Sequence, residues 1–497
     1  MEQQTKQNRN IIAIITMFFL FAMISFVTNL AAPVGTIWKN QYEGANTLGM
    51  MGNMMNFLAY LFMGIPAGNM LVRIGYKKTS LIATAVGVVG LFLQYLSSIV
   101  GANAEVFTLG EYVIKFNFII YLIGAFICGL CVCMLNTVVN PMLNLLGGGG
   151  NKGNQLIQAG GALNSLAGTL TPLFVGVLIG TVNKNTTMTD VEPLLFLAMG
   201  VFAFTFIVIS FVKIPEPHLQ KGKIKKEKFE YSPWSFRHTV LGVIGIFIYV
   251  GIEIGIPGTL LFYLADTTSK GAGIMVNGAA IGGAVAAIYW LLMLVGRLTS
   301  SAISGKVSTR AQLITVSSVA IIFVIIAIAT PKEKGINLPK IVYDPIETTT
   351  LTLTNAGMPA EEITAFIAEP SQDKLASYTE ALAEEEITPE NVMKSLETPK
   401  VPLSALFLVL CGLCTSLMWG GIFNLAVEGL GKYTAQASGI FMMMVVGGGI
   451  LPLLQQFISD SVGYMASYWL IVAMLAYLLY YGLVGCKNVN KNIPVND

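Results

Sequence analysis

Twelve apolar runs, each long enough to cross a bilayer, decide what this chain can fold into. They lie near residues 11–32, 48–72, 79–99, 117–146, 156–180 and 193–213, then 239–264, 274–301, 312–330, 402–427, 434–457 and 464–486. In hydrocarbon every backbone N–H and C=O must be satisfied within the chain, so runs of about 20 apolar residues become transmembrane helices. The first run follows Lys6 and Arg9, as a signal peptide would. It is too long and lacks a small-residue cleavage site, so it is expected to be a retained first span. Composition agrees, with 54% hydrophobic and only 11% charged residues and a mean hydropathy of +0.69. That charged fraction is roughly half that of an ordinary globular domain. A soluble enzyme and a disordered scaffold are excluded, and a net charge of +2 is too balanced for a nucleic-acid partner.

The runs fall into two sets of six. Between them the segment from Lys213 to Arg237 carries seven Lys and Arg residues. This predicts an all-α membrane protein of two pseudo-symmetric six-helix bundles: residues 1–213, a basic linker 214–237, a second bundle 238–486, and a tail 487–497. With the N-terminus inside, inner segments hold 18 Lys and Arg, and outer loops hold 4, with 6 more in an insertion at 331–400. Basic loops stay cytoplasmic, so both termini are expected inside the plasma membrane. The insertion has 13 acidic residues against 6 lysines, and prolines 345, 359, 370 and 389 divide it into short segments of helical composition, such as 360–368 and 372–386. It is expected to be a solvated, acidic extracytoplasmic cap, with a docking surface for another envelope protein as the alternative.

Polar groups inside spans are costly and mark a bundle interior. In the fourth span Asn136, Asn140 and Asn144 recur every four residues on one face. Amides donate and accept, as sugar hydroxyls do, so this stripe fits a sugar or polyol site; interhelical hydrogen bonding is the alternative. In the seventh span Glu253 is the only carboxylate in the middle of any run, with Tyr249 one turn before it and Pro257 one turn after. A carboxyl in low dielectric can take up and release a proton near neutrality, which is what a coupling site needs. A structural glutamate satisfied by neighbouring donors is the alternative. Arg297, in the eighth span after Gly296, is expected near the cytoplasmic end with its head reaching water.

Enzyme chemistry finds no support. The two histidines, His218 and His238, lie in or beside the basic linker, and no nucleophile has a base in a recognisable motif. Glycines 147–150 lack the Lys-Ser/Thr ending of a phosphate loop. Five of six cysteines sit in apolar runs and Cys486 follows the last, so buried thiols are expected, with no disulfide, no metal site and no cofactor.

These residues resemble the major facilitator superfamily and, within it, the fucose/glucose/galactose symporter family. The stretch from Gly68 through Arg73, Gly75 and Tyr76 to Lys77 looks like the superfamily's loop signature, with Val72 in place of its usual acid. Asn136 to Pro141 resembles the family's fourth-helix motif, and Asn164-Ser165 its fifth. The segments from Phe247 to Glu253, Tyr289-Trp290 to Gly296-Arg297, Ile422-Phe423, and Ser438-Gly439 to Gly449 look like family signatures in the second half. The resemblance covers the whole chain except the insertion. It implies a twelve-helix secondary transporter that takes a sugar across the bacterial inner membrane by alternating access and works as a monomer in the lipid bilayer.

On that basis Asn29, Asn136, Asn140, Gln158 and Asn164 of the first half, and Tyr249, Glu253, Trp419 and Asn424 of the second, are the candidate substrate contacts. Trp419 would offer a flat face to a pyranose ring, and Gly68, Arg73, Gly75 and Lys77 would form a cytoplasmic gating loop. Asn29 and Asn136 stand where the family's proton-coupled fucose transporter has acids, and Gln158 is six residues before Asn164 instead of three. Any proton coupling must then pass through Glu253. A facilitator, a nucleoside carrier and a transporter-like sensor stay open as alternatives.

Overall fold

The computed structural model describes residues 2–42, 45–147, 150–179, 186–216, 231–274, 277–303, 307–384, 387–430, 433–490 and 492–495. Eleven of the described helical stretches are long and apolar enough to cross a membrane. The first half contains α1 (Glu2–Gln41), α2 (Asn46–Ile99), α3 (Phe116–Leu146), α4 (Gly150–Ile179) and α5 (Glu192–Phe211). α4 occupies the place of the fifth apolar run, and the stretches Asn46–Leu71 and Arg73–Ile99 of α2 are two separate spans. Just inside the second of them the helix breaks at Gly75, whose φ of 87° and ψ of 174° lie in a region that only glycine enters freely.

The second half contains α6 (Arg237–Ala265), α7 (Gly278–Ile303) and α8 (Thr309–Ala329), then the insertion helices α9 (Pro345–Asn355), α10 (Ala360–Ala368), α11 (Thr379–Glu384) and α12 (Pro389–Ser395). After it come α13 (Leu403–Thr415), α14 (Met418–Val427), α15 (Thr434–Met444), α16 (Gly447–Val462) and α17 (Tyr464–Tyr480). The tenth and eleventh apolar runs are therefore each broken in two. Pro452 and the run Gly447 to Gly449 accompany the second break. A side chain on Gly447 would overlap the Phe247 carbonyl, so these glycines let α16 lie directly on α6.

Two small ladders add to the helices that hydropathy predicts. β1 (Glu105–Leu109) and β2 (Tyr112–Lys115) form an antiparallel hairpin between the third and fourth spans, turned at Gly110, φ 64°. β3 (Gly335–Asn337) pairs antiparallel with β4 (Lys400–Pro402), Ile336 opposite Val401, and so draws the two ends of the insertion together. Between them the insertion has its own core of Leu353, Ile363, Phe366, Leu375, Leu382 and Val392.

Within the first half α3 lies along α2, α1 packs on α2, α3 and α4, and α5 packs on α2; within the second, α6 packs on α7, α14 and α16, and α13 on α7 and α8. Across the halves, α4 packs on α7, and α15 and α16 pack on α2. Large apolar side chains such as Phe62, Phe204, Phe211 and Phe457 are exposed on the outer faces of their helices, the pattern of a surface solvated by lipid. All six cysteines are free and buried. His238, at the edge of the linker, is the second residue of α6, where it is buried and hydrogen-bonded to the Glu428 carbonyl at 3.0 Å.

Candidate functional site

Between the halves lies a narrow cleft with a cavity volume of about 30 Å³. Thr28, Asn29 and Pro33 of α1 and Met50 and Asn53 of α2 line it from the first half. Ile254, Pro257 and Gly258 of α6 and Ala286 and Trp290 of α7 line it from the second. The mixture of amides, an indole and apolar walls matches the chemistry of a small polar solute with one flat face, although the cleft as it stands is too narrow to enclose one. Pro257 and Pro33 stand in helix interiors, where the missing N–H frees a backbone carbonyl near the cleft. Asn53 donates from Nδ2 to the Gly448 carbonyl at 2.9 Å, tying α2 to α16 at the wall of the cleft.

Of the sequence-derived candidates, Asn29 lies in this cleft, with Nδ2 donating back to the Ser25 carbonyl (2.9 Å) and to Ser25 Oγ (3.1 Å). Asn136 donates to the Tyr60 hydroxyl at 2.7 Å and Asn140 to the Asn136 carbonyl at 3.0 Å, while Asn164 donates to the Phe21 carbonyl at 3.3 Å. Asn136 and Asn164 thus bond to a neighbouring helix, Asn29 and Asn140 only to their own, and all four remain half-buried. Trp419 is half-buried against Tyr249, ring centroids 6.1 Å apart, and Asn424 is exposed at the end of α14. The indole in the cleft wall is Trp290, set edge-on against Tyr289, and not Trp419. The side chains of Gln158 and Asn144 lie outside the described residues.

Glu253 lies one turn before Pro257, with the buried Tyr249 beside it. Its carboxylate faces Arg297 Nη2 at 3.5 Å, and both side chains are only 14% exposed. Arg297 does not reach toward the membrane surface, as its place near a helix end predicted. Its Nη1 donates to the Gly161 carbonyl (2.5 Å) and to Ser165 Oγ (2.9 Å), both on α4 of the other half. A guanidinium has five donors in a rigid fork, so it can hold one carboxylate and two acceptors at once. Burying a single charge is costly, and the Glu253 carboxylate is what neutralises this one.

At the other end of the second span, Gly75 opens the third, and Glu216 accepts from the backbone N–H groups of Tyr76 (2.9 Å) and Lys77 (2.8 Å). The carboxylate caps a helix N-terminus, which both its hydrogen bonds and the helix dipole favour. Lys77 Nζ donates to the carbonyls of Ser210 (2.7 Å) and Val212 (2.9 Å) at the end of α5. Arg73 is exposed and Gly68 half-buried. Sequence reasoning missed Glu216, although Val72 at the position of the usual acid signalled that a carboxylate had to come from elsewhere.

Helices of both halves that meet around a mostly apolar cleft carrying two amides and an indole, with a buried charge pair bridging α4, α6 and α7, fit a membrane transport protein rather than an enzyme. Residues 14–336 match the sequence model of the Major Facilitator Superfamily, and the chain belongs to that family. It is 28% identical over 482 residues to a glucose/galactose transporter of Brucella abortus biovar 1 (strain 9-941), covering 96% of this chain and 94% of that one. It is 23% identical over 502 residues to a putative glucose/galactose transporter of Helicobacter pylori (strain J99 / ATCC 700824), with 98% of each chain covered. Among solved structures it resembles the E. coli fucose:proton symporter FucP, with a TM-score of 0.59 at 16% identity over 95% of this chain and 98% of that one. The nucleoside transporter NupG superposes with a TM-score of 0.57 at 11% identity, over 97% of this chain and 99% of that one.

Proposed function

We propose that this protein carries a hexose or a closely related sugar across the bacterial inner membrane by alternating access. The observation that carries this reading is the cleft between the halves, in which the Asn29 amide and the Trp290 indole face each other's bundles. An amide matches sugar hydroxyls in both hydrogen-bonding senses, and an indole face packs on the apolar side of a pyranose. The glucose/galactose transporters among its relatives support the same substrate class. Twelve spans, with both termini cytoplasmic, the acidic insertion outside and a monomer as the working unit, complete the proposal.

The coupling proposal rests on Glu253 and Arg297. When Glu253 is ionised the pair is neutral, and Arg297 can stay buried while it grips α4. When Glu253 takes up a proton, Arg297 becomes an uncompensated buried charge and the α4–α7 contact weakens. Proton binding and the opening of the halves are then one linked event. The test is uptake of labelled D-glucose and D-galactose by proteoliposomes of the purified protein, with and without an imposed pH gradient. Saturable counterflow of either sugar supports the carrier reading. Binding of sugars with neither counterflow nor uptake would overturn it.

A further inference from the structure

At the end of the bundles that carries the insertion, a second set of polar side chains joins the halves, and none of them belongs to the cleft. Its centre is Lys39, in the last turn of α1 and buried at 4% exposed. Lys39 Nζ donates to the hydroxyl of Tyr464 at 2.8 Å, at the start of α17. It also reaches the Phe262 carbonyl at 3.5 Å and lies 5.3 Å from that residue's ring centroid. The Tyr464 hydroxyl has Asn46 Oδ1 at 2.9 Å and Asp266 Oδ2 at 3.0 Å; having one proton, it donates to one of them at a time while accepting from Lys39. Beside this, Asp460 Oδ2 accepts from the backbone N–H (3.1 Å) and hydroxyl (2.6 Å) of Thr47.

Lys39, Asn46 and Thr47 belong to the first half; Phe262, Asp266, Asp460 and Tyr464 belong to the second. Within the first half, α1 and α2 are pressed together under Lys39, and the second half's Phe262 packs on that contact. Side chains on Gly35 or Gly49 would meet the other's carbonyl at 2.5–2.6 Å, and the Phe262 ring fills the space directly above. An ammonium this deep requires anionic and dipolar partners. Phe262, Tyr464 and Asp266 all come from the half opposite to Lys39, while Asn46 acts through Tyr464. Separating the halves at this end would strip Lys39 of those three together.

We infer that Lys39, Tyr464 and Asp266 form the latch that holds the carrier closed at the insertion end, and that Lys39 is a positioning residue for transport with no contact to the sugar. This rests on the alternating-access reading, in which that end must open once per cycle. Because its contacts form and break as a set, the latch makes closure at this end an all-or-none state.

The test places spin labels at Glu111→Cys, on the turn of the β1–β2 hairpin, and Lys270→Cys, on the exposed loop after α6, in the full chain whose own six cysteines are buried. The distance distribution between them is measured in nanodiscs without any sugar. The parent should give one short-distance population. Tyr464→Phe and Lys39→Gln should each add a longer one, raising the open-to-closed ratio roughly tenfold, while Lys39→Arg should stay near the parent. Should Lys39→Gln not fold, Tyr464→Phe and Thr47→Val carry the test, since each removes only a hydroxyl's contacts. Distributions unchanged in both Tyr464→Phe and Thr47→Val would overturn the latch. D-glucose counterflow, measured separately, tests the sugar reading, so either can fail without the other.

Discussion

Arg297 stands 3.5 Å from Glu253 in its own half and 2.9 Å from Ser165 in the other, so one guanidinium is shared between a titratable group and the seam along which the bundles move. Charge at Glu253 and contact between α4 and α7 are therefore properties of one residue.

If the proton rides on Glu253, Glu253→Gln should abolish uphill accumulation of D-glucose driven by a pH gradient and leave counterflow within about threefold of the parent, because counterflow needs no net proton movement. Accumulation that persists in the variant removes this residue from coupling. Loss of both activities assigns it to sugar binding instead.

Arg297→Gln should leave the Glu253 carboxylate buried without its partner and cost about 3–5 kcal/mol. The double variant with Glu253→Gln should recover most of that loss. Thermal midpoints of the four proteins in one detergent measure the coupling; additive losses would mean that the two groups do not depend on each other.

Trp290→Ala should raise the KM for D-glucose counterflow about tenfold with little change in maximal rate, and Trp290→Phe should restore most of it. Trp419→Ala, at a residue that packs on Tyr249 and does not line the cleft, should change KM by less than about twofold. Equal effects at the two positions would place the sugar elsewhere.

The insertion can be shortened at its own base. Leu338 N–H donates to the Pro399 carbonyl at 3.3 Å just above the β3–β4 ladder, so a short Asn-Gly turn can join the strands in place of residues 340–398. Transport should survive this replacement within about twofold, judged against the amount of inserted protein. Loss of transport from a well-inserted protein would give the cap a part in the cycle.

Acidification should not release the latch through Asp266, which lies just beyond the seventh span. Burial pushes its carboxyl up, but Lys39, with hydrogen bonds from Thr268 and Tyr464, more than offsets this and holds it below the ordinary value of 3.8. A depressed carboxylate stabilises the state that binds it above its ordinary value and loses that contribution only as pH falls through the lower one. The spin-label distances should therefore be the same at pH 7 and pH 5. A longer population appearing at pH 5 would assign the acid sensitivity to another group.

The spans were legible in the sequence because hydropathy is a local quantity, and so was Glu253, the one acid in mid-span. What joins distant segments was not. Arg297 looked like a residue at a helix end, since nothing within its own run reveals Glu253 44 residues earlier or Ser165 132 residues earlier as partners. Lys39 counted only as one outer-loop charge, and its meeting with Tyr464 bridges 425 residues. The choice between Trp290 and Trp419 depended on helix rotation, which two runs apolar on all sides do not encode. The β1–β2 hairpin did leave a signal, a Gly-Glu turn between β-branched and aromatic residues, but in a short stretch between two strong spans.

The β3–β4 ladder has a mechanical meaning for the insertion. Backbone hydrogen bonds between Gly335–Asn337 and Lys400–Pro402 clamp its entry and exit side by side. A force that would spread entry from exit meets this ladder before it can separate the ends of α8 and α13. The cap thus hangs from the bundle at one point rather than two, between α8 and α13, neither of which lines the cleft, and the carrier could gain or lose such an ornament without retuning its stroke.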